Sequence, residues 1–466
     1  MLWEKNACEI VDKLQKKEIK PSEVLISLKS RCDKINPNIN ALPTIVIDEI
    51  IEKVINIEKR SAALKGNLFG LPIPIKDSYP VKNVKTTYGS LAYKNYFPER
   101  SDFVVQRIEE SGGIIYAKSN TPEFEAGAST FNEVFGKTYN PWNQSLSVAG
   151  SSGGAAAAVA SGMAFIAQGS DFACSLRFPA SFCGILGLRT TPGLIPQGPN
   201  NMPYQSLSVI GPLARNSEDL GLALDSMVGY NLYDPLTNPF FSDGYRKAAC
   251  IEFKPKKIAF SEDLKVSHVS QEIRNIFNNA ISKLNCDGVD TIEIEPDLKL
   301  AHYSFQTLRA HQFSTMWGHV LKNYREKIKP EVVWNIEKGQ NLSSEDLTQA
   351  EISRMQVRNN IINFLEKYDF LITPTAPVSP NSVDERFVSQ IDGIKLENYV
   401  EWLSLGYVVS VAGCPAISVP CGFSANGSPV GLQVIGKPYS EKILLGFASY
   451  LQSLFKAGLI KPIYRI

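Results

Sequence analysis

Very little net charge separates the two signs in this sequence: 48 Lys and Arg against 47 Asp and Glu leave a formal charge of +1. So close a balance offers no electrostatic footprint for nucleic acid or an anionic membrane, and neither is expected as a partner. Cysteine is sparse as well. The eight thiols (Cys8, Cys32, Cys174, Cys183, Cys250, Cys286, Cys414, Cys421) include no C-x-x-C pair, which argues against a disulfide scaffold and an obvious zinc site. Histidine is scarcer still, and His268, His302, His311 and His319 all lie in the second half. A long apolar run is missing too: the most apolar stretch, Ala155 to Ala167, is short for a membrane span and built on alanine rather than leucine. The amino terminus, Met1-Leu2-Trp3-Glu4-Lys5, soon runs into alternating charged and apolar residues without a hydrophobic signal core. These absences predict a soluble, cytoplasmic protein with reduced thiols.

What remains is ordinary globular material, 466 residues with 44% hydrophobic and 20% charged content. Trp3, Ala7, Ile10, Val11 and Leu14 recur at helical spacing, and Pro21-Ser22-Glu23 starts a second helix that Asn36-Pro37-Asn38 is expected to end. A third helix is expected from about Asp48 to Lys65. Gly70-Leu71-Pro72-Ile73-Pro74-Ile75-Lys76-Asp77 then reads as an extended apolar segment stopping on a charge pair, and Ile114 to Ala117 as a short buried strand. Farther on, Lys257 to Phe260, an amphipathic helix through Ile273, Phe277 and Leu284, and Val289 to Ile294 form a strand–helix–strand unit, which suggests a mainly parallel sheet. Residues 300–365 read as helical, Phe370 to Thr373 as a buried strand, and Ala416 to Phe423 with Val430 to Ile435 as a hairpin. No repeat or low-complexity linker divides the chain. We therefore expect one large α/β domain: N-terminal helices over 1–65, a core over 66–245, and a C-terminal part over 246–466 that completes sheet and pocket.

Two candidate serines sit among glycines and small residues in Gly150-Ser151-Ser152-Gly153-Gly154, and more polar chemistry follows in Gly169-Ser170-Asp171-Phe172-Ala173-Cys174-Ser175-Leu176-Arg177-Phe178-Pro179-Ala180. By pattern, Gly150 to Gly154 satisfies the G-x-S-x-G elbow with Ser152 as nucleophile. The elbow needs a preceding strand, however, and Asn143 to Ser147 is polar loop. It also needs a histidine, and nothing near the motif supplies one. A phosphate-binding loop fails because no Gly-Lys-Ser/Thr follows the glycines. Serine can instead be activated by a neutral, desolvated lysine, and Lys76, ending the apolar Ile73-Pro74-Ile75 segment, is the lysine best placed to be drawn into such a site. Lowering its pKa from about 10.4 toward 7 requires an environment worth about 5 kcal/mol against the charged form.

Lys76, the Gly150-to-Gly154 run and the Gly169-to-Ala180 segment together resemble the amidase signature family. The resemblance extends through Lys118-Ser119-Asn120-Thr121-Pro122-Glu123-Phe124, Asn140-Pro141-Trp142, Phe182-Cys183-Gly184, Gly187-Leu188-Arg189, Thr373-Pro374-Thr375 and Gly431-Leu432-Gln433, and so covers most of the chain. It implies the amidase signature fold, a mixed twisted β-sheet covered by helices on both faces. It further implies a triad in which Ser175 attacks the acyl carbon, Ser151, behind a cis peptide bond, relays the proton, and Lys76 is the base. The backbone amides of Phe172, Ala173, Cys174 and Ser175 become the oxyanion hole, and Asp171 and Arg177 a structural ion pair bracing the loop. Ser152 is expected to bond to the lysine or the neighbouring loop.

One departure stands out, because the family usually carries Gly-Gly where this chain has Ala173-Cys174. A side chain there adds strain if either position needs a positive φ. Cys174 lacks an activating histidine and reads as packing rather than as a thiol nucleophile. The implied activity is hydrolysis of a small-molecule carboxamide to a carboxylate and ammonia or an amine, with no metal or organic cofactor and with a homodimer left open. Two alternatives accompany it: the amidase subunit of a glutamine-dependent aminoacyl-tRNA amidotransferase, against which the helical region 300–345 and the missing Gly-Gly both speak, and a member impaired by Ala173-Cys174. Walls for the acyl group are expected from residues 122–130, 302–320 and 399–414, whose aromatic and small residues suggest an apolar acyl or aryl group.

Overall fold

The computed structural model describes residues 1–59, 66–239, 243–457 and 461–462. Its centre is an eight-stranded mixed sheet in the order Asp290–Glu293, Lys257–Phe260, Leu371–Pro374, Pro429–Ile435, Ala416–Phe423, Leu186–Arg189, Val209–Ala214, Ile166–Asp171. Helices flank it, among them Arg177–Cys183, Ser217–Met227, Gln271–Cys286 and Glu441–Phe455. Val209–Ala214 is buried at every position, and so is the edge strand Ile166–Asp171, which a second, smaller sheet covers.

The expectation of a mainly parallel sheet is corrected. Only the edge formed by Asp290–Glu293, Lys257–Phe260 and Leu371–Pro374 is parallel, and every other neighbouring pair is antiparallel. The strand–helix–strand unit needs a crossover and gives parallel pairing, whereas Ala416–Phe423 and Pro429–Ile435 form an antiparallel hairpin and each meets a distant neighbour antiparallel as well.

A smaller three-stranded sheet holds Pro72–Lys76 parallel to Ile114–Ser119, with Thr44–Ile45 antiparallel on the other side of Ile114–Ser119. In this register Lys76 lies opposite Ser119 and Ile75 opposite Lys118, so the two buried lysines leave opposite faces. The strand Pro72–Lys76 also packs against Ile166–Asp171, so the two sheets meet where the serines and Lys76 lie.

The helix begun at Pro21 does not stop at Asn36-Pro37-Asn38 but continues to Ile39. Pro37 lacks an N–H, yet the carbonyl it strands belongs to exposed Asp33, where water can take its place, while Ile35 and Ile39 remain buried and hold the last turn on the core. Asn40 ends the helix at φ +53°, its N–H bonded to the Asn36 carbonyl at 2.7 Å. The third helix spans Ile47–Lys59, and the rest of its expected range lies outside the described residues. The region 300–365 resolves into Ala301–Tyr324, Pro330–Gln340 and Ser344–Leu365 with a short 3-10 turn between the first two.

Candidate active site

Four short segments deliver the site. Lys76 ends its strand, Ser151 and Ser152 lead into the helix Gly153–Ala160, Ser170 and Asp171 end the strand Ile166–Asp171, and Ser175 lies just before the helix Arg177–Cys183. The Gly153–Ala160 helix can enter this crowded layer because its residues are small and wholly buried; a Cβ on Gly154 would lie 2.4 Å from the Asn120 backbone nitrogen.

Lys76 is fully buried, and its Nζ donates to Ser151 Oγ at 2.7 Å and to Ser170 Oγ at 2.9 Å. Its backbone N–H donates to Gln168 Oε1 at 3.0 Å, tying the strand end to the central sheet. The Gly150–Ser151 peptide bond is cis. Ser175 joins through the backbone, its carbonyl accepting the Ser152 N–H at 3.1 Å, and its hydroxyl bonds to no group among the described residues. Ser152 bonds to the neighbouring strand rather than to the lysine: its hydroxyl donates to the Ser170 carbonyl at 3.2 Å and receives the Ser170 N–H at 3.3 Å. Among the described residues no histidine bonds to these serines; His302 bonds to the Tyr407 hydroxyl, and His319 lies 3.4 Å from that of Tyr93.

The loop after Ser170 is braced from beneath. Arg177 forks onto Asp171 with Nε to Oδ2 at 3.0 Å and Nη2 to Oδ1 at 2.8 Å, and the same guanidinium donates to the Ala173 carbonyl at 2.7 Å and to Gln433 Oε1 at 2.8 Å. Arg189 adds a contact to the Asp171 carbonyl at 2.5 Å. Burial pushes the Asp171 carboxyl up, but the two guanidiniums outweigh it and hold the pKa below its usual value. Above this brace, the N–H groups of Phe172, Ala173, Cys174 and Ser175 donate to no acceptor among the described residues. Neither Ala173 nor Cys174 has a positive φ, so the expected strain is absent. The Cys174 side chain turns away from solvent against Gly406, and burial pushes its thiol well above the ordinary range, which suits packing and not attack.

Glu125 was not anticipated. Its Oε1 lies 2.6 Å from Lys76 Nζ and accepts from Ser170 Oγ and Ser78 Oγ, each at 2.7 Å. Burial lowers the Lys76 pKa from its ordinary value, against the opposing pull of Glu125. Burial raises that of Glu125, but Lys76 overcomes this and holds the carboxyl below its usual value. Nothing in the local sequence marks Glu125 as a partner of a residue on another strand. Ser170, Arg189 and Gln433 were within recognised segments, but only the folded chain brings them together. The second buried lysine, Lys118, faces elsewhere, donating to the Tyr79 carbonyl at 2.5 Å and to Thr86 Oγ1 at 3.0 Å.

A cavity of about 310 Å³ opens beside the site and shares Glu125 and Phe172 with it. Phe124, Phe313 and Trp317 come from two of the three expected wall segments, but 399–414 contributes none. That segment's helix, Ser404–Ala412, instead packs at Gly406 behind the loop of Phe172 to Ser175. Tyr79, Tyr88 and Tyr93 supply a wall that sequence reasoning missed. Among the described residues no His, Cys, Asp or Glu cluster could hold a metal ion, and no helix is long and apolar enough to cross a membrane.

A mixed eight-stranded sheet with a buried Lys, two serines and a row of unpaired amides defines a class of enzymes that cleave amide C–N bonds. Comparison with known proteins makes the family specific. The family model described as Amidase matches residues 23–445, and the chain belongs to the amidase signature family. It is 32% identical over 482 residues to a glutamyl-tRNA(Gln) amidotransferase subunit from Sulfurihydrogenibium sp., covering 97% of this chain and 98% of that one. It is 28% identical over 465 residues to an acylamidase of Rhodococcus erythropolis, covering 96% and 95%. A bacterial aryl acylamidase of the same family superposes with a TM-score of 0.90 at 24% identity, covering 97% and 96%, which establishes the fold.

Proposed function

We propose that this enzyme hydrolyses a small carboxamide through a Ser175 acyl-enzyme. Ser175 attacks the carbonyl carbon as its proton passes by way of Ser151 to neutral Lys76, and the oxyanion is received by the amides of Phe172 to Ser175. Collapse of the tetrahedral adduct breaks the C–N bond, and the leaving nitrogen takes the proton and departs as ammonia or an amine. Water then attacks the ester by the same route and frees the carboxylate. The observation that carries this reading is the 2.7 Å bond from fully buried Lys76 to Ser151, beside four backbone donors without an acceptor among the described residues.

A second reading, the amidase subunit of a glutamine-dependent aminoacyl-tRNA amidotransferase, is supported by the relative at 32% identity. Glutamine carries an α-carboxylate as well as an α-ammonium, and the cavity walls hold Asp102 and Glu125, which suit the ammonium, but neither Lys nor Arg among the described residues to receive the carboxylate. The missing partner for that carboxylate favours the free amidase. Labelling with a fluorophosphonate probe followed by peptide mapping tests the reading: modification at Ser175 is expected, and modification at Ser152 or Cys174 overturns it. Glutamine-dependent ammonia transfer with copurifying protein partners would favour the second reading.

A further inference from the structure

The Glu125 carboxylate uses its two oxygens unequally. Lys76, Ser78 and Ser170 all converge on Oε1, whereas Oε2 receives no donor among the described residues, and the side chain, 22% exposed, lines the cavity. An acceptor of this kind, one bond from the catalytic lysine, invites a donor carried by the ligand. The other acid on the wall cannot do the same work. Asp102 caps a helix, with Oδ1 taken by the Val104 N–H at 3.1 Å and Oδ2 by the Gly198 N–H at 3.2 Å.

The rest of the cavity is suited to the same kind of group. Four rings form one continuous wall, with centroids 4.2 Å apart for Phe124 and Trp317, 5.5 Å for Tyr88 and Trp317, and 5.1 Å for Tyr88 and Tyr93. Aromatic faces attract ammonium groups and also accept the apolar part of an acyl chain. No Lys or Arg lines the cavity among the described residues. Arg309 is stacked on Phe172 and Phe313 and bonded to the Tyr399 hydroxyl instead.

We infer that the site selects amides whose acyl group bears a protonated amine a short distance from the carbonyl, with Glu125 Oε2 as the ammonium acceptor and the Tyr88, Tyr93, Phe124 and Trp317 wall around the acyl chain. The short distance follows from the geometry, since the carboxylate that takes the ammonium touches Lys76, and Lys76 touches Ser151. The inference rests on the acyl-enzyme reading and adds the substrate class to it. Once Lys76 is neutral and able to accept a proton, the Glu125 charge is uncompensated by it, and a substrate cation restores the balance.

The test compares phenylalaninamide with 3-phenylpropanamide, which differ by the amine, in kcat/KM and in protection of Ser175 against the fluorophosphonate. A hydrogen bond to a charged group is worth about 1.5–3 kcal/mol, so the amine should raise kcat/KM and protection by at least about ten-fold. Glu125→Gln should reduce that ratio to less than about three-fold; because the ratio is taken within the variant, any effect on Lys76 cancels. A wild-type ratio short of ten-fold, or a ratio that the variant leaves unreduced, overturns the inference while leaving the acyl-enzyme reading intact. Failure of the probe to modify Ser175 in the wild type overturns the acyl-enzyme reading and the inference with it.

Discussion

Gly406→Ala should damage the proposed oxyanion hole from behind without unfolding the protein. Gly406 lies within the helix Ser404–Ala412, and a methyl there would fall 2.5 Å from both the Ala173 carbonyl oxygen and Cys174 Cβ. Comfortable contact needs about 3.5 Å, so the loop must retreat by about 1 Å. Neither neighbour can rotate aside: one is backbone and the other a Cβ, and the Ala173 carbonyl is held by Arg177 at 2.7 Å. A misplacement of about 1 Å in a catalytic group costs about 100-fold in rate. The stability effect should be small, because overpacking costs about 1–3 kcal/mol and Ala in a helix recovers about 0.5–1 kcal/mol relative to Gly. The assay is the rate of fluorophosphonate labelling at Ser175 together with kcat for amide hydrolysis, with thermal unfolding as the control. Adding Cys174→Gly removes one of the two clashes and should recover part of the rate. Wild-type labelling and turnover in Gly406→Ala would refute the placement of this loop as the oxyanion hole.

Lys76→Ala should lower kcat by at least about 100-fold, read in steady state across about pH 6 to 9; full activity there removes Lys76 as the base. Lys76 must be neutral to accept a proton, so wild-type activity should rise with pH through its titration, which burial lowers and Glu125 and, less strongly, Asp171 oppose. Glu125→Gln removes the leading opposing charge and should move the rise to lower pH in a kcat profile, whereas a move to higher pH contradicts the assignment. Arg177→Met should destabilise by about 3–5 kcal/mol, because it leaves a fully buried Asp171 with Arg189 as its remaining cation; denaturant unfolding measures the loss, and a value under about 1 kcal/mol excludes the bracing role.

Local pattern carried the reading furthest where one short segment decides the structure. The strand ending at Lys76, the amphipathic helix through Ile273 and Phe277 and the final hairpin all follow from periodicity and turn chemistry within a few residues. The sense of the central sheet was not local, because it depends on which distant strands become neighbours, and one strand–helix–strand unit was extended to a sheet whose centre is a hairpin. At the site, Lys76 is singled out by the apolar segment it ends and Ser151 and Ser175 by resemblance to a family motif, whereas Glu125 enters through a loop that places Phe124 and Glu125 at φ +48° and +59°. No period or motif encodes that approach. The cavity walls were half legible for the same reason: the segments around Phe124 and Trp317 were found, and the tyrosines at 79, 88 and 93 reach the cavity only through tertiary folding.

The Ala173-Cys174 pair shows how a local departure is absorbed at a distance. In isolation two side chains in place of two glycines threaten the loop, but both residues keep negative φ, and the one bulky group, the Cys174 side chain, is received where helix Ser404–Ala412 has no Cβ at Gly406. The loop amides remain unpaired on the opposite account, through their backbone path and the Arg177 brace rather than through glycine flexibility. Cys174→Gly should therefore not increase turnover. It empties the space beside Gly406, so the expected effect is a loss of about 1–2 kcal/mol in denaturant unfolding from the deleted buried group and the added backbone freedom of the unfolded chain, with kcat unchanged or lower. A gain in kcat would mean that the side chain does constrict the oxyanion hole, and that Gly406 does not compensate for it.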